Sequence, residues 1–277
     1  MKLRRSGRLV DMTHFLLEHP HQLVPLTFFS ERYESAKSSI SEDLAIIKEQ
    51  FEQQGIGTIV TVSGAAGGVK FISKIGKQEA IQVENELKKL LAVPERILPG
   101  GYLYMTDVLG HPKYVNQIGR IFASIFSDRE IDVVMTIATK GIPLAYAVAS
   151  HVNVPVVVVR NDNRVTEGST VSINYVSGSS KRIQTMTLAR RSLNPGANVL
   201  IIDDFMRAGG TINGMIHLLE EFQAKLAGIG VFVELAAIHE RLVEEYVSVL
   251  KLSHVSEKDK KIEIVSGNYL QHEHKLL

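Results

Sequence analysis

Val199-Leu200-Ile201-Ile202-Asp203-Asp204-Phe205-Met206-Arg207-Ala208-Gly209-Gly210-Thr211 is the stretch from which the rest of the chain can be read. Its apolar opening reads as a strand buried on both faces. Two glycines allow a close backbone turn, and a helix starts near Thr211. In open α/β sheets, ligands sit at the carboxyl ends of strands, where this segment turns. Free N–H groups, the positive end of the helix dipole and the Thr211 hydroxyl suit a phosphate. Asp203 and Asp204 are acceptors for the vicinal hydroxyls of a sugar, or for Mg²⁺.

The neighbouring sequence repeats this alternation. Strands are expected at 131–137, 154–160, 199–202 and 230–238, and helices at 113–127, 142–151 and 211–226. Near-continuous apolar strands between helices predict an α/β fold, a parallel sheet covered on both faces. Residues 161–185, rich in Ser, Thr, Asn and Gly, read as a long polar excursion of the functional kind. A helix over 77–92 carries Gln82, Glu84, Asn85, Glu86, Lys88 and Lys89. It reads as solvated, with a connector or dimer helix as the other role. His272-Glu273-His274-Lys275 reads as a frayed tail, and His14, His111, His151, His217, His239 and His254 as ordinary core or surface residues without zinc spacing.

Residues 1–75 have a different plan. Helices are expected over 4–18, from Pro25 to Tyr33, and over 35–53, where Ile40, Leu44, Ile47 and Phe51 form one apolar stripe. Ser39 and Glu42 would also suit a capping box, which would start the third helix near 39; the start at 35 is preferred. Two β-rich runs, 58–62 and 69–72, flank the tip Gly64-Ala65-Ala66-Gly67-Gly68. These are the parts of a winged helix-turn-helix. Lys37, Ser38, Ser39 and Ser41 open its recognition helix, where short hydroxylic residues reach phosphates or base edges. Lys2, Arg4, Arg5 and Arg8 add phosphate charge near one end, and Lys70 and Lys74 from the wing. Nine Lys or Arg stand against eight Asp or Glu in 1–75, so DNA binding is inferred from the module's shape more than its charge. Glu42 and Asp43 are compatible with it only if they face inward or pair with Lys or Arg.

Composition narrows the classes. The chain has 277 residues, 45% of them hydrophobic, a formal net charge of +1 and no cysteine. Disulfides, thiolate metal sites and a cysteine nucleophile are excluded. The basic N-terminus looks like the start of a signal peptide, but Asp11, His14 and Glu18 interrupt the apolar run behind it. No run is long enough to span a bilayer, and no membrane partner is expected.

The 199–211 segment resembles the phosphoribosyl pyrophosphate (PRPP) signature of type I phosphoribosyltransferases. The resemblance implies that Asp203 and Asp204 hold the ribose hydroxyls and that Met206, Arg207, Ala208, Gly209, Gly210 and Thr211 wrap the 5′-phosphate, with Phe205 beside them in the effector site. Ala208 departs from the family, which has Thr or Ser there. Ala138-Thr139-Lys140-Gly141 is similar to the family's pyrophosphate loop, Arg160 to a basic position near it, and 161–185 to its mobile catalytic loop. The segment from Tyr102 to Leu109 resembles the base side of adenine and xanthine phosphoribosyltransferases. Ala138 stands where adenine-specific enzymes commonly carry a carboxylate.

A winged helix (1–75) ahead of a PRPP-binding effector domain (76–277) resembles the purine operon repressors of Gram-positive bacteria. The resemblance implies a dimeric, cytoplasmic, nucleoid-associated repressor of purine synthesis and salvage genes that is not an enzyme and requires no cofactor. PRPP, alone or with Mg²⁺, would be the inducer that lowers DNA affinity. Purine nucleotides bearing several phosphates, guanosine tetraphosphate among them, would compete for the same pocket, with Tyr102 or Phe205 as stacking surfaces. The alternatives are an active purine phosphoribosyltransferase using PRPP and Mg²⁺, and a PRPP sensor acting on other proteins.

Overall fold

The computed structural model describes residues 3–64, 66–162, 167–176, 182–236 and 241–277. The N-terminal part is built from α1 (Arg5–Glu18), α2 (Leu26–Arg32), α3 (Lys37–Gln53) and the hairpin β1 (Gly57–Val62) and β2 (Gly68–Ser73). Met12 and Leu16 of α1, Phe29 of α2, the α3 stripe, and Ile59 and Phe71 of the hairpin form its own core. Helix α3 starts at Lys37, two residues after the preferred start. Ser35 is occupied instead in the turn: its Oγ donates to the Tyr33 carbonyl and accepts from Arg8 Nη1.

The larger part follows as α4 (Lys77–Leu91), the short pair β3 (Ile97–Leu98) and β4 (Tyr102–Leu103), α5 (Thr106–Leu109), α6 (Pro112–Ile125), β5 (Val133–Ile137), α7 (Ile142–Val152) and β6 (Val156–Val159). Then come β7 (Thr170–Val176), β8 (Ile183–Ala189), β9 (Asn198–Met206), α8 (Gly210–Glu221), β10 (Lys225–Leu235), β11 (Val247–Ser256) and β12 (Lys261–Ser266). The central sheet has the order β12-β11-β10-β9-β5-β6 and is parallel except for the antiparallel edge strand β12. Side chains of β9 alternate between two cores, as a strand's two-residue period requires. Leu200 and Ile202 join α6 and α7, while Val199 and Ile201 join α8.

Four expectations are corrected. Helix α4 is not merely a solvated face: Ala80, Val83, Leu87 and Leu91 enter the core. The excursion is not irregular throughout, since β7 and β8 form an antiparallel hairpin; 163–166 and 177–181 lie outside the described residues. The tail is not frayed. Tyr269 is fully buried and its hydroxyl donates to Glu84 Oε2, while Leu277 exchanges backbone bonds with Ile75 and Lys77. Strands β11 and β12 extend the sheet beyond the expected elements. Among the described residues, no helix is long and apolar enough to cross a membrane.

The two parts meet at the base of the wing. Arg120 of α6 donates to the carbonyls of Gly55 and Lys74, Ser124 Oγ accepts from the Ile75 N–H, and Ser73 Oγ is hydrogen-bonded to His151 Nδ1 of α7 at 3.0 Å. Burial pushes both His151 and His21 down to about 4, with the positive charges of Arg120 and Lys70 respectively adding to it. Unfolding frees each to bind a proton below about 6.5, whereas the folded chain binds it only near 4. Their contribution is present above that window and lost as pH falls through it. Denaturant titrations from pH 7 to 4 are expected to show stability falling more steeply for the wild type than for the His21→Gln/His151→Gln variant; equal slopes would refute this.

Candidate effector and DNA sites

The candidate effector site forms where β9 ends. Gly209 adopts φ +85°, a conformation that disfavours a side chain, and a Cβ there would lie 3.0 Å from Val243. The turn then delivers Gly210 as the first residue of α8, so the free N–H groups of the helix face the same space as Asp203 and Asp204. Leu242 N–H donates to the Ala208 carbonyl and backs the turn from outside. A cleft of about 420 Å³ opens here. Asp203, Asp204, the 205–211 turn and Lys140 line one side, and Leu98, Pro99, Tyr102, Leu103 and Met105 the other. Its size is that of a small-molecule site.

The carboxylates are not in the state that water would give them. Asp203 is 4% exposed, and its Oδ1 accepts from the Asp204 N–H at 3.0 Å. Burial, then the adjacent Asp204 charge, pushes Asp203 well above the usual range. Burial also raises Asp204, and Lys140 pulls it back. The pair therefore gains from a partner that donates hydrogen bonds to its charged form.

The structure brings together most of the expected contacts. Tyr102 faces Arg207, whose Cζ lies 5.1 Å from the ring centroid, a cation–π contact across the mouth of the cleft. Lys140 reaches the cleft, but Ala138 and Thr139, joined by a cis peptide, and Gly141 do not line it. Arg160 does not line it either: its side chain pairs with Glu167 at 3.6 Å, and its backbone bridges to Thr187. The β7–β8 hairpin lies against α8, where a Cβ on Gly214 would come within 3.0 Å of Tyr175. The apolar wall at Leu98 and Pro99 was not anticipated, because Pro99 reads locally only as a turn residue.

On the N-terminal module, Lys37, Ser38 and Ser41 are exposed at the start of α3, and Ser39 is half-buried. Ser41 Oγ donates to the Lys37 carbonyl. Arg4 is exposed, and Lys2 lies outside the described residues. Asp43 is fully buried and accepts from Arg5 Nε at 2.9 Å and Arg8 Nε at 2.6 Å. Of the two acidic residues that spoke against a DNA surface, Asp43 thus faces inward, while Glu42 stays exposed and pairs with Arg5 at 3.7 Å. Arg5 stays 54% exposed beside α3, but Arg8, at 12%, is committed to the interior. Lys70 and Lys74 are both half-buried. Lys70 lines a cleft against 127–132, and Lys74, at the base of the wing, is partly desolvated near Lys275 and Asp128.

Residues 4–73 match the family model described as "Bacterial purine repressor, N-terminal", and 105–266 match "Phosphoribosyl transferase domain". The purine biosynthesis transcriptional repressor PurR of Bacillus subtilis is 69% identical over 271 residues, 98% of this chain and 95% of its own. The purine biosynthesis transcriptional activator PurR of Lactococcus lactis strain IL1403 is 49% identical over 266 residues, 96% of this chain and 98% of its own. The crystal structure of adenine phosphoribosyltransferase from Thermoanaerobacter pseudethanolicus superposes with a TM-score of 0.53 at 21% identity. It covers 60% of this chain and 98% of that one, which shows the fold of the larger part alone.

Fold and family matches together define a winged-helix transcriptional regulator with a phosphoribosyltransferase-type domain. The relatives that match along nearly the whole length are transcription factors, and the enzyme matches only part. The chain belongs to the family of bacterial purine-biosynthesis transcriptional regulators, proteins that bind DNA and are not enzymes.

Proposed function

We propose that residues 1–75 read operators of purine synthesis and salvage genes as a repressor, and that 76–277 sense PRPP, which lowers operator affinity. The observation that carries this reading is the buried Asp203 and half-buried Asp204 in one cleft with the Gly209–Gly210 turn, hydroxyl acceptors beside phosphate donors. The repressor sense follows the 69% relative rather than the 49% activator. No group of three or more His, Asp or Glu able to hold a metal occurs among the described residues. Asp203 and Asp204 are the carboxylates that would hold Mg²⁺ if it accompanies PRPP, neutralising charge on the diphosphate. The regulator works as a homodimer in the cytoplasm, which fits a two-fold operator.

The apolar wall beside the carboxylates exceeds what PRPP, which has no base, can use. Guanosine tetraphosphate is the competing nucleotide we assign to it, with its base against Tyr102 and Phe205. Gel shifts on a purine-gene operator test the whole reading: a specific shift relieved by PRPP, with no nucleotide formed from PRPP and purine bases. No shift at low salt, or product formation, would overturn it.

Linkage requires PRPP to prefer a state that binds DNA poorly. One helix joins the two ends: α7 starts directly after the Thr139-Lys140-Gly141 loop and carries His151, bonded to Ser73 at the wing, in its last turn. His151→Ala is expected to leave PRPP affinity within about twofold while reducing the PRPP effect on operator affinity several-fold, within the usual coupling range. Titrating operator binding at saturating PRPP measures it; an undiminished effect would point to direct charge competition instead.

A further inference from the structure

We propose that Glu257 is a positioning residue for the effector cleft, latching the hood that presents Tyr102. This rests on the reading of the cleft as a PRPP and nucleotide site. The hood is the β3–β4 pair and the turn between its strands. In that turn Gly100 and Gly101 have φ +83° and +73°, so two successive N–H groups point to one side, the geometry of an anion nest. A carboxylate 156 residues away fills it: Glu257 Oε1 accepts from Gly100 N at 2.8 Å and Gly101 N at 2.9 Å. The turn bearing Glu257 is braced in its own right, since Ser256 Oγ donates to Asp259 and accepts from the Asp259 N–H.

The two ends of the hood are held differently. Its base is fixed from inside by Arg96, 8% exposed, which grips Asp107 with two bonds of 2.7 Å and also donates to the Leu90 and Tyr104 carbonyls. Its tip is held by the exposed Glu257, through charge-assisted bonds that stand in solvent and can open. Leu98, Pro99, Tyr102 and Leu103, all on this hood, form the apolar wall of the cleft, and Arg207 meets the Tyr102 ring. The phosphate turn at 205–211 and the Asp203–Asp204 pair lie on β9 and α8, outside the latch. Glu257 thus acts on the part of a ligand that reaches the wall, a purine base, and leaves the ribose phosphate to the strand end.

Full-length wild type, Glu257→Ala and Glu257→Gln are titrated calorimetrically with PRPP and with guanosine tetraphosphate, and hydrogen exchange is followed over 97–103. Glu257→Ala is expected to weaken the nucleotide about tenfold and PRPP less than twofold, with Glu257→Gln between, consistent with loss of charge-assisted bonds. The hood amides are expected to exchange faster in Glu257→Ala. Equal losses for both ligands, no loss for either, or unchanged exchange would overturn the latch. So would a wild type that binds PRPP but not the nucleotide, because the hood would then grip nothing. A wild type that binds neither ligand refutes the reading of the cleft itself.

Discussion

Asp203→Asn/Asp204→Asn is expected to weaken PRPP about 100-fold and to leave operator binding unresponsive to it. Asparagine keeps an acceptor at each position and removes the charge. Two charge-assisted bonds at roughly 1.5 kcal/mol each lose about 3 kcal/mol, two orders of magnitude in Kd. The variant must remain folded for this to be informative, and the electrostatics bear on that. Both carboxyls are raised by burial, so the folded chain holds protons that the unfolded chain has released. Any stability from this pair is present below the ordinary carboxylate range and lost as pH rises through the raised values. Neutralising the pair therefore removes a desolvation cost, set against the loss of the Lys140 attraction at Asp204. Calorimetry with PRPP, with urea unfolding at pH 5 and pH 8 alongside, checks both parts. Unchanged affinity would remove the effector reading.

Asp43→Ala is expected to cost about 3 kcal/mol in the N-terminal part, the scale for breaking a buried ion pair from one side. Asp43 has no exposure and is shared by two arginines, so its loss leaves Arg8 buried beside no counter-charge. Domains are stable by only about 5–15 kcal/mol, so the loss would be a large fraction of the total. It also cuts the tie between α1 and the start of α3, and operator affinity should fall even where the module stays folded. Thermal unfolding and gel shifts with Asp43→Ala and Asp43→Asn measure the two effects. An Asp43→Ala protein with wild-type melting would show that the pair contributes nothing net.

Much of the architecture was legible because it rests on short-range regularities. The apolar run before Asp203, the glycine turn and the Ile40-Leu44-Ile47-Phe51 stripe each encode their element within a few residues. The hairpin at 170–189 was harder, since its polar outer face hides the two-residue alternation that Tyr175, Met186 and Leu188 show from below. Helix α4 looked solvated because its charged face dominates the composition while four small or aliphatic residues do the packing. The tail deceived for the opposite reason: Tyr269 finds Glu84 across 185 residues, and nothing local signals that.

By itself, the amino-acid sequence determined the kinds of element, their order, and the acidic strand end with its phosphate turn, because backbone propensity and side-chain periodicity act over one or two turns. Only the tertiary structure decided which charges are spent and which are free. Asp43 consumes Arg8, Lys74 is partly desolvated at the junction, Glu257 occupies the Gly100–Gly101 turn, and His151 reaches Ser73. A charge's fate depends on burial and on partners brought close by folding, and both are set by contacts between residues far apart in the chain.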